Sequence, residues 1–244
     1  MKIFHSADWH VGTFHGPEQN GLNLRSEDTY SCIEELVDEV ENERPDYVLV
    51  PGDIFHQAAI GQARSHTEVL RVRDIISRLS DNAGQVVIMR GTPNHDSAEA
   101  FEELKAHFSD KPNVHIVTEA KVLEFSDLCI ALVPGFDRGI YRAAHPGLSA
   151  EEENTVFTEE IRNIVLGLRA QCTVGKPSVL MAHITVPGCN MEAGQNTFLQ
   201  NFEPVLSTDT INAADFDLVC LGHIHRPQQL TNVHNTFYSG AINA

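Results

Sequence analysis

The sequence predicts an α/β fold, and three observations predict it. Short β-branched runs alternate with amphipathic stretches along all 244 residues. The principal runs are apolar nearly throughout, as strands covered on both faces are. Chemically active side chains recur just after the runs, at the carboxyl ends where open α/β sheets bind ligands.

Taken in order, strands are expected at residues 2–5, 47–50, 85–89, 114–117, 121–125, 128–133, 178–182, 217–221 and 236–239. The first, second, third, seventh and eighth carry the continuous apolar character. Ser126-Asp127 separates the fifth from the sixth and reads as a tight hairpin. In the stretch 29–42, Ile33, Leu36, Val37 and Val40 repeat at helical spacing, and Val69, Val72, Ile75, Ile76 and Leu79 do so within 61–80. Asp96 with Glu99, and Ser149 with Glu152, have the spacing of helix-starting capping boxes; the second precedes the stripe Ile161, Ile164, Val165 and Leu168. The Gly- and Pro-containing segment 134–147 reads as a long surface loop. No repeat or linker divides the chain, so one domain over 1–244 is expected.

Composition narrows the function. Hydrophobic residues at 42% and charged residues at 21% are ordinary for a globular protein. No stretch approaches the roughly 20 apolar residues of a membrane span, and the apolar start is too short for a signal peptide, so no membrane association is expected. Five scattered cysteines without a C-x-x-C pair read as reduced thiols of a cytoplasmic protein, not as a disulfide frame or zinc knuckle. The net charge is −17, from 34 acids against 17 bases, and acids crowd residues 34–46 as a solvated helix face. The bulk field of such a chain does not recruit a polyanion; bound metal or a partner must do so.

The polar residues at strand ends are Asp8-Trp9-His10, Gly52-Asp53-Ile54-Phe55-His56, Asn94-His95-Asp96, His183 and Gly222-His223-Ile224-His225. Each motif alone is weak, and an isolated His183 is more often a hydrogen-bonded core residue. Five in order, each behind a strand, point to a centre for two divalent cations of borderline hardness, Mn²⁺, Fe²⁺ or Zn²⁺. Asp53 can turn one oxygen toward each ion, Gly52 lets the backbone pass close by, and His223 and His225 can divide between them.

This series resembles the signature of calcineurin-like metallophosphoesterases. Within them, "IFHSADWHVG", "RSEDTYSCIEELVDEV", "PDYVLVPGDIFH", "CLGHIHRPQ" and "FYSGAIN" are similar to the SbcD and meiotic-recombination nuclease family, over essentially the whole chain. The resemblance implies a four-layer α/β/β/α metallophosphoesterase sandwich of two packed mixed β-sheets. It implies one ion on Asp8, His10, Asp53 and His225, and another on Asp53, Asn94, His183 and His223. His95 would be the transition-state stabiliser or leaving-group acid, His56 would position the phosphate, and Asp96 would orient His95 by accepting its second N–H. The implied activity is Mn²⁺-dependent 3′-to-5′ exonuclease and endonuclease cleavage of DNA. The implied partners are an SbcC-like coiled-coil ATPase and a second copy of the chain, met through helices such as 29–42 and 61–80. Two departures stand out. Pro93 occupies the usual glycine position before Asn94, with Gly91 expected to supply the flexibility, and the family's capping domain and ATPase-binding segment are expected to be absent. His15 and Arg25 are the further residues expected nearest substrate. Two other readings are a small-molecule or cyclic-nucleotide phosphodiesterase and a non-catalytic scaffold for an ATPase.

Overall fold

Alternate side chains of the central strands enter different cores, and this parity sets the layering. The computed structural model describes residues 1–12, 16–57, 63–191 and 204–243, and the backbone alone at 63–66, 138 and 150. The chain runs β1 (Ile3–His5), β2 (Glu18–Gln19), β3 (Leu22–Asn23), α1 (Leu24–Glu43), β4 (Tyr47–Pro51), α2 (Ala63–Asn82), β5 (Gln85–Met89), α3 (Ala98–His107) and β6 (Val114–Val117). It continues through β7 (Lys121–Glu124), β8 (Cys129–Val133), α4 (Arg138–Ala144), α5 (Ala150–Gln171), β9 (Ser178–His183), α6 (Thr208–Ala214), β10 (Leu218–Gly222), β11 (Gln228–Gln229) and β12 (Thr236–Tyr238).

One sheet has the order β1-β4-β5-β6 and is parallel throughout. The other has the order β11-β12-β10-β9-β8-β7; its inner strands are parallel, and β7 and β11 join antiparallel at the edges. Only the second sheet is therefore mixed, where both were expected to be. Val48, Val50, Val86 and Ile88 pack under α1, α2 and α3 with Ile33, Val37, Val72, Ile76 and Phe101. Their neighbours Tyr47, Leu49, Val87 and Met89 face the other way, against Ile130, Leu132, Val179, Met181 and Cys220 of the second sheet. The outer face of that sheet carries Ala131, Val133, Leu180, Ala182 and Val219 beneath Ile161, Val165 and Ile211 of α5 and α6. Four layers follow: helices, sheet, sheet, helices.

The helices start where side chains satisfy their free N–H groups. Asn23 caps α1, Asp137 caps α4, and Ser149 with Glu152 completes the expected capping box of α5. Three local expectations are corrected. The cap of α3 is Ser97, not Asp96, whose carboxylate is committed elsewhere. The segment read as a loop holds α4, a helix of 7 residues hidden by its Gly and Pro neighbours. Strand β1 is only partly buried because it is the edge of its sheet. The hairpin at Ser126-Asp127 is present, closed by the Phe125 amide donating to the Leu128 carbonyl at 2.8 Å. The expected start of the second helix at Gly61 lies outside the described residues. Among the described residues no helix is long and apolar enough to cross a membrane.

Candidate metal centre

The carboxyl ends of β1, β4, β5, β9 and β10 converge, and four of the five motifs use one device to aim their polar residues. An apolar residue sinks into a core and turns its neighbours toward the cleft. Trp9, 1% exposed, does this between Asp8 and His10, with its indole N–H donating to Ser6 Oγ at 2.9 Å. Ile54 follows Asp53, Ile184 follows His183, and Ile224 separates His223 from His225, all three buried. The turns that result are tight. Asp8, His10, Asp53 and His223 have φ of 54°, 49°, 52° and 92°, a left-handed region that costs L-residues energy and marks functional sites.

Backbone bonds fix the first two turns against each other. The amides of Asp8 and His10 donate to the carbonyls of Gly52 and Asp53, both at 3.0 Å, and the Val11 amide donates to Ile54 at 2.8 Å. Gly52 has φ +89°, and a Cβ there would stand 2.5 Å from Gly91 Cα and 2.6 Å from His183 Nδ1. Gly91 is needed for a different reason from the one expected. Its φ is not left-handed, but a Cβ would lie 2.2 Å from both the amide nitrogen and Oδ1 of Asp53. Close approach, not flexibility, requires glycine.

Asp53 sits at the middle. Its Oδ1 accepts from the Thr92 amide at 2.7 Å and the Thr92 hydroxyl at 2.9 Å. Its Oδ2 lies 3.2 Å from His183 Nε2 and 3.9 Å from His95 Nε2. Both imidazoles are oriented from behind: His183 donates Nδ1–H to the Pro51 carbonyl at 2.7 Å, and His95 donates Nδ1–H to the His56 carbonyl at 2.5 Å. This is the arrangement that leaves Nε2 facing a metal or a substrate. Asp8 accepts from the His223 amide at 3.0 Å with each oxygen. His10 Nε2 and His225 Nε2 face each other at 3.0 Å. His95 packs edge-on against His10 at 4.6 Å, and His56 stands 6.2 Å from His10.

Electrostatics follow from this crowding. Burial pushes Asp8 up to about 7 and holds His10 down to about 3 and His225 down to about 4. For Asp53 burial works against ionisation, yet His183, His95 and His10 hold it well below the usual carboxylate range. Burial likewise opposes charge on His183, but Asp53 and Asp8 raise it to about 10. Positive charge on that ring answers two buried carboxylates, which is the demand a divalent cation would meet.

The donors fit such cations. Ligand-capable atoms of Asp8, His10 and His225 lie within 4.8 Å of one another, as do those of His10, Asp53 and His95, and those of Asp53, His183 and His223. His10 Nδ1 is buried without a hydrogen-bond partner, and His183 Nε2 is buried with only the Asp53 carboxylate near it, at 3.2 Å. Carboxylates and imidazoles without a thiolate suit Mn²⁺, Fe²⁺ or Zn²⁺.

A calcineurin-like phosphoesterase family model matches residues 1–227. The chain belongs to that family. The SbcD subunit of the SbcCD nuclease of Staphylococcus epidermidis (strain ATCC 12228 / FDA PCI 1200) is 25% identical over 257 residues, which cover 99% of this chain and 61% of that protein. The chain thus spans less than two thirds of that relative's length. Among solved structures, phosphopantetheinyl hydrolase (PptH) from Mycobacterium tuberculosis superposes with a TM-score of 0.52 at 13% identity, over 98% of this chain and 88% of that one. A dimetal phosphatase from Danio rerio does so with a TM-score of 0.52 at 12% identity, over 99% and 88%. Both likenesses show the fold of this phosphoesterase.

Asn94, His56 and Asp96 are the expected site residues outside the three carboxylate and imidazole clusters. Asn94 is exposed on its turn and lines a cavity together with His183 and His223. Asp96 does not touch His95. Its Oδ1 accepts from the Ile54 and Phe55 amides at 2.9 and 3.1 Å, and its Oδ2 from Gly91 at 2.6 Å. It therefore clamps the second motif to the third, because the chain direction after His95 turns its side chain into the core. Burial and the nearby Asp53 push it up to about 7, against those amide donors. Thr92, which grips Asp53, was hidden in the sequence by its place beside the irregular Pro93. His15 lies outside the described residues.

Proposed function

We propose that this phosphoesterase cleaves phosphodiesters of DNA with two divalent cations, Mn²⁺ first among them. One cation would be held by Asp8, His10, Asp53 and His225, the other by Asp53, Asn94, His183 and His223. The observation that carries the reading is the place of Asp53, whose carboxylate belongs to two of the three ligand clusters while Thr92 fixes it. Similarity to the SbcD nuclease supports DNA as the substrate. Bound there, the cations would supply Lewis acidity toward the phosphate and a water of lowered pKa for in-line attack. His95 has its Nδ1 hydrogen engaged by a backbone carbonyl, so Nε2 meets the charge that develops on the leaving oxygen. His56 steadies the phosphate. Asp96 acts as a positioning residue for the loops of Asp53 and Gly91.

Affinity for DNA comes from elsewhere. The net charge is −17, and the arginines nearest the motifs are partly committed: Arg142 pairs with Glu153 through Nε at 2.9 and 2.8 Å, and Arg90 Nε donates to the Asp96 carbonyl at 2.8 Å. An SbcC-like coiled-coil ATPase would supply the positive surface, and the chain itself would act as a homodimer. Cleavage of single- and double-stranded DNA with Mn²⁺ or Mg²⁺, beside a cyclic nucleotide, tests the activity; hydrolysis of the cyclic nucleotide alone would transfer the site to small phosphodiesters. A DNA-binding titration of the His95→Ala variant should show weak affinity and a shallow salt slope, since each neutralised phosphate contributes about 0.9 to it. Nanomolar binding with a steep slope would remove the need for a partner.

A further inference from the structure

Beside the metal centre, on the His183 and His223 side, lies a cavity of about 310 Å³. Its far wall is formed by Phe136 and Phe157, with ring centroids 4.8 Å apart and edge to face, and Tyr141 stacks behind Phe157 at 4.0 Å. Thr92, Asn94, Asp137 and Thr185 add polar residues to the lining. The volume is at the lower end of roughly 300–1,000 Å³ typical of ligand pockets, room for one flat heterocycle and not for a folded strand.

We infer that this cavity is the subsite for the nucleobase attached to the phosphate under attack. The inference rests on the DNA-cleaving reading and deepens it. His183 and His223 line both the cavity and the metal centre, so a phosphate held at the centre places its own sugar and base at the cavity mouth. Phe136, half-buried on the loop after β8, offers a ring for stacking that accepts any base. The enzyme therefore grips one unstacked nucleotide, and an end or a single strand suits it better than the interior of a duplex.

The test is calorimetric binding of thymidine 5′-monophosphate and of deoxyribose 5-phosphate to the Mn²⁺-loaded chain. The wild type should bind the nucleotide roughly ten-fold more tightly, the scale of one base stacked on an aromatic ring. Phe136→Ala should abolish that preference and leave deoxyribose 5-phosphate affinity unchanged. Phe136→Leu keeps an apolar side chain without the ring face and should reduce the preference several-fold. Equal affinity of the wild type for the two ligands, absence of binding to both included, overturns the subsite, as does a preference that survives both substitutions. The two readings fail separately: DNA cleavage without base preference sinks the subsite alone, and base preference without DNA cleavage sinks the nuclease.

Discussion

Asp8 and Asp53 reach the centre from the four-stranded sheet, with Asp96 clamping behind them, whereas the six-stranded sheet sends His183, His223 and His225. The carboxylate half is over-determined. Its loops are tied by main-chain bonds, and three of its residues, Asp8, His10 and Asp53, hold left-handed backbone. The imidazole half is lighter: His183 is turned by one bond to Pro51, and His223 is tied through its amide to Asp8. The contrast separates two tasks. One sheet builds an anionic platform tied by its backbone, and the other brings imidazoles, of which His183 is oriented by its bond to Pro51.

Removing the platform should have the largest effect. Asp53→Ala should lose at least the tighter of two bound Mn²⁺ ions, read by metal analysis after dialysis, and nearly all hydrolysis with it. A variant that keeps both ions would show that the imidazole half suffices. Next comes His95→Gln, which should lower kcat by roughly 10²–10⁴-fold while metal content stays near wild type. Since His95 also lies within ligand range of His10 and Asp53, a stripped ion would make it a ligand and end its role as a proton donor.

A smaller effect tests the rigidity itself. Gly91→Ala drives a methyl into Asp53 at 2.2 Å, a backbone contact that cannot swing away, and should cost about 3 kcal/mol in urea unfolding as well as activity. Unchanged stability would mean that the platform gives. Smaller again is a pH effect at the seam of the two sheets. His5 on β1 donates Nε2–H to the Leu221 carbonyl of β10 at 3.2 Å, and burial holds it down to about 4. Its folded pKa is depressed, so its contribution to stability is complete above the unfolded value of 6.5 and is lost as pH falls toward 4. The loss should reach roughly 2 kcal/mol given its partial exposure. His5→Gln should flatten the fall in melting temperature over that window, and an unaltered profile would clear His5 of any part in it.

How much of this was readable in the sequence differs between the two halves as well. The ends of β4, β5 and β9 were legible because each is a buried apolar run that stops at a polar motif, and Asp8-Trp9-His10 announced its own anchor. Asp96 was misread because adjacency to His95 says nothing of direction: a turn sends one side chain to the cleft and the next to the core. Helix α4 was missed because 7 residues between Pro134 and Gly147 carry too little periodicity to outweigh their breakers. The aromatic wall was invisible because Phe136, Tyr141 and Phe157 share no spacing and meet only when α4 and α5 fold over the second sheet.

The facing pair His10 and His225, and the bond from the His223 amide to Asp8, each join residues 215 positions apart. Such contacts come late in folding, since closing a long loop must precede any gain from the contact. Asp8, Asp53 and Asp96 leave the ribosome before the imidazole donors at the ends of β9 and β10. Cation capture is therefore an end-point of folding rather than its nucleus, and metal affinity regained during refolding should trail the recovery of helical signal, marking the moment when the first and last motifs meet.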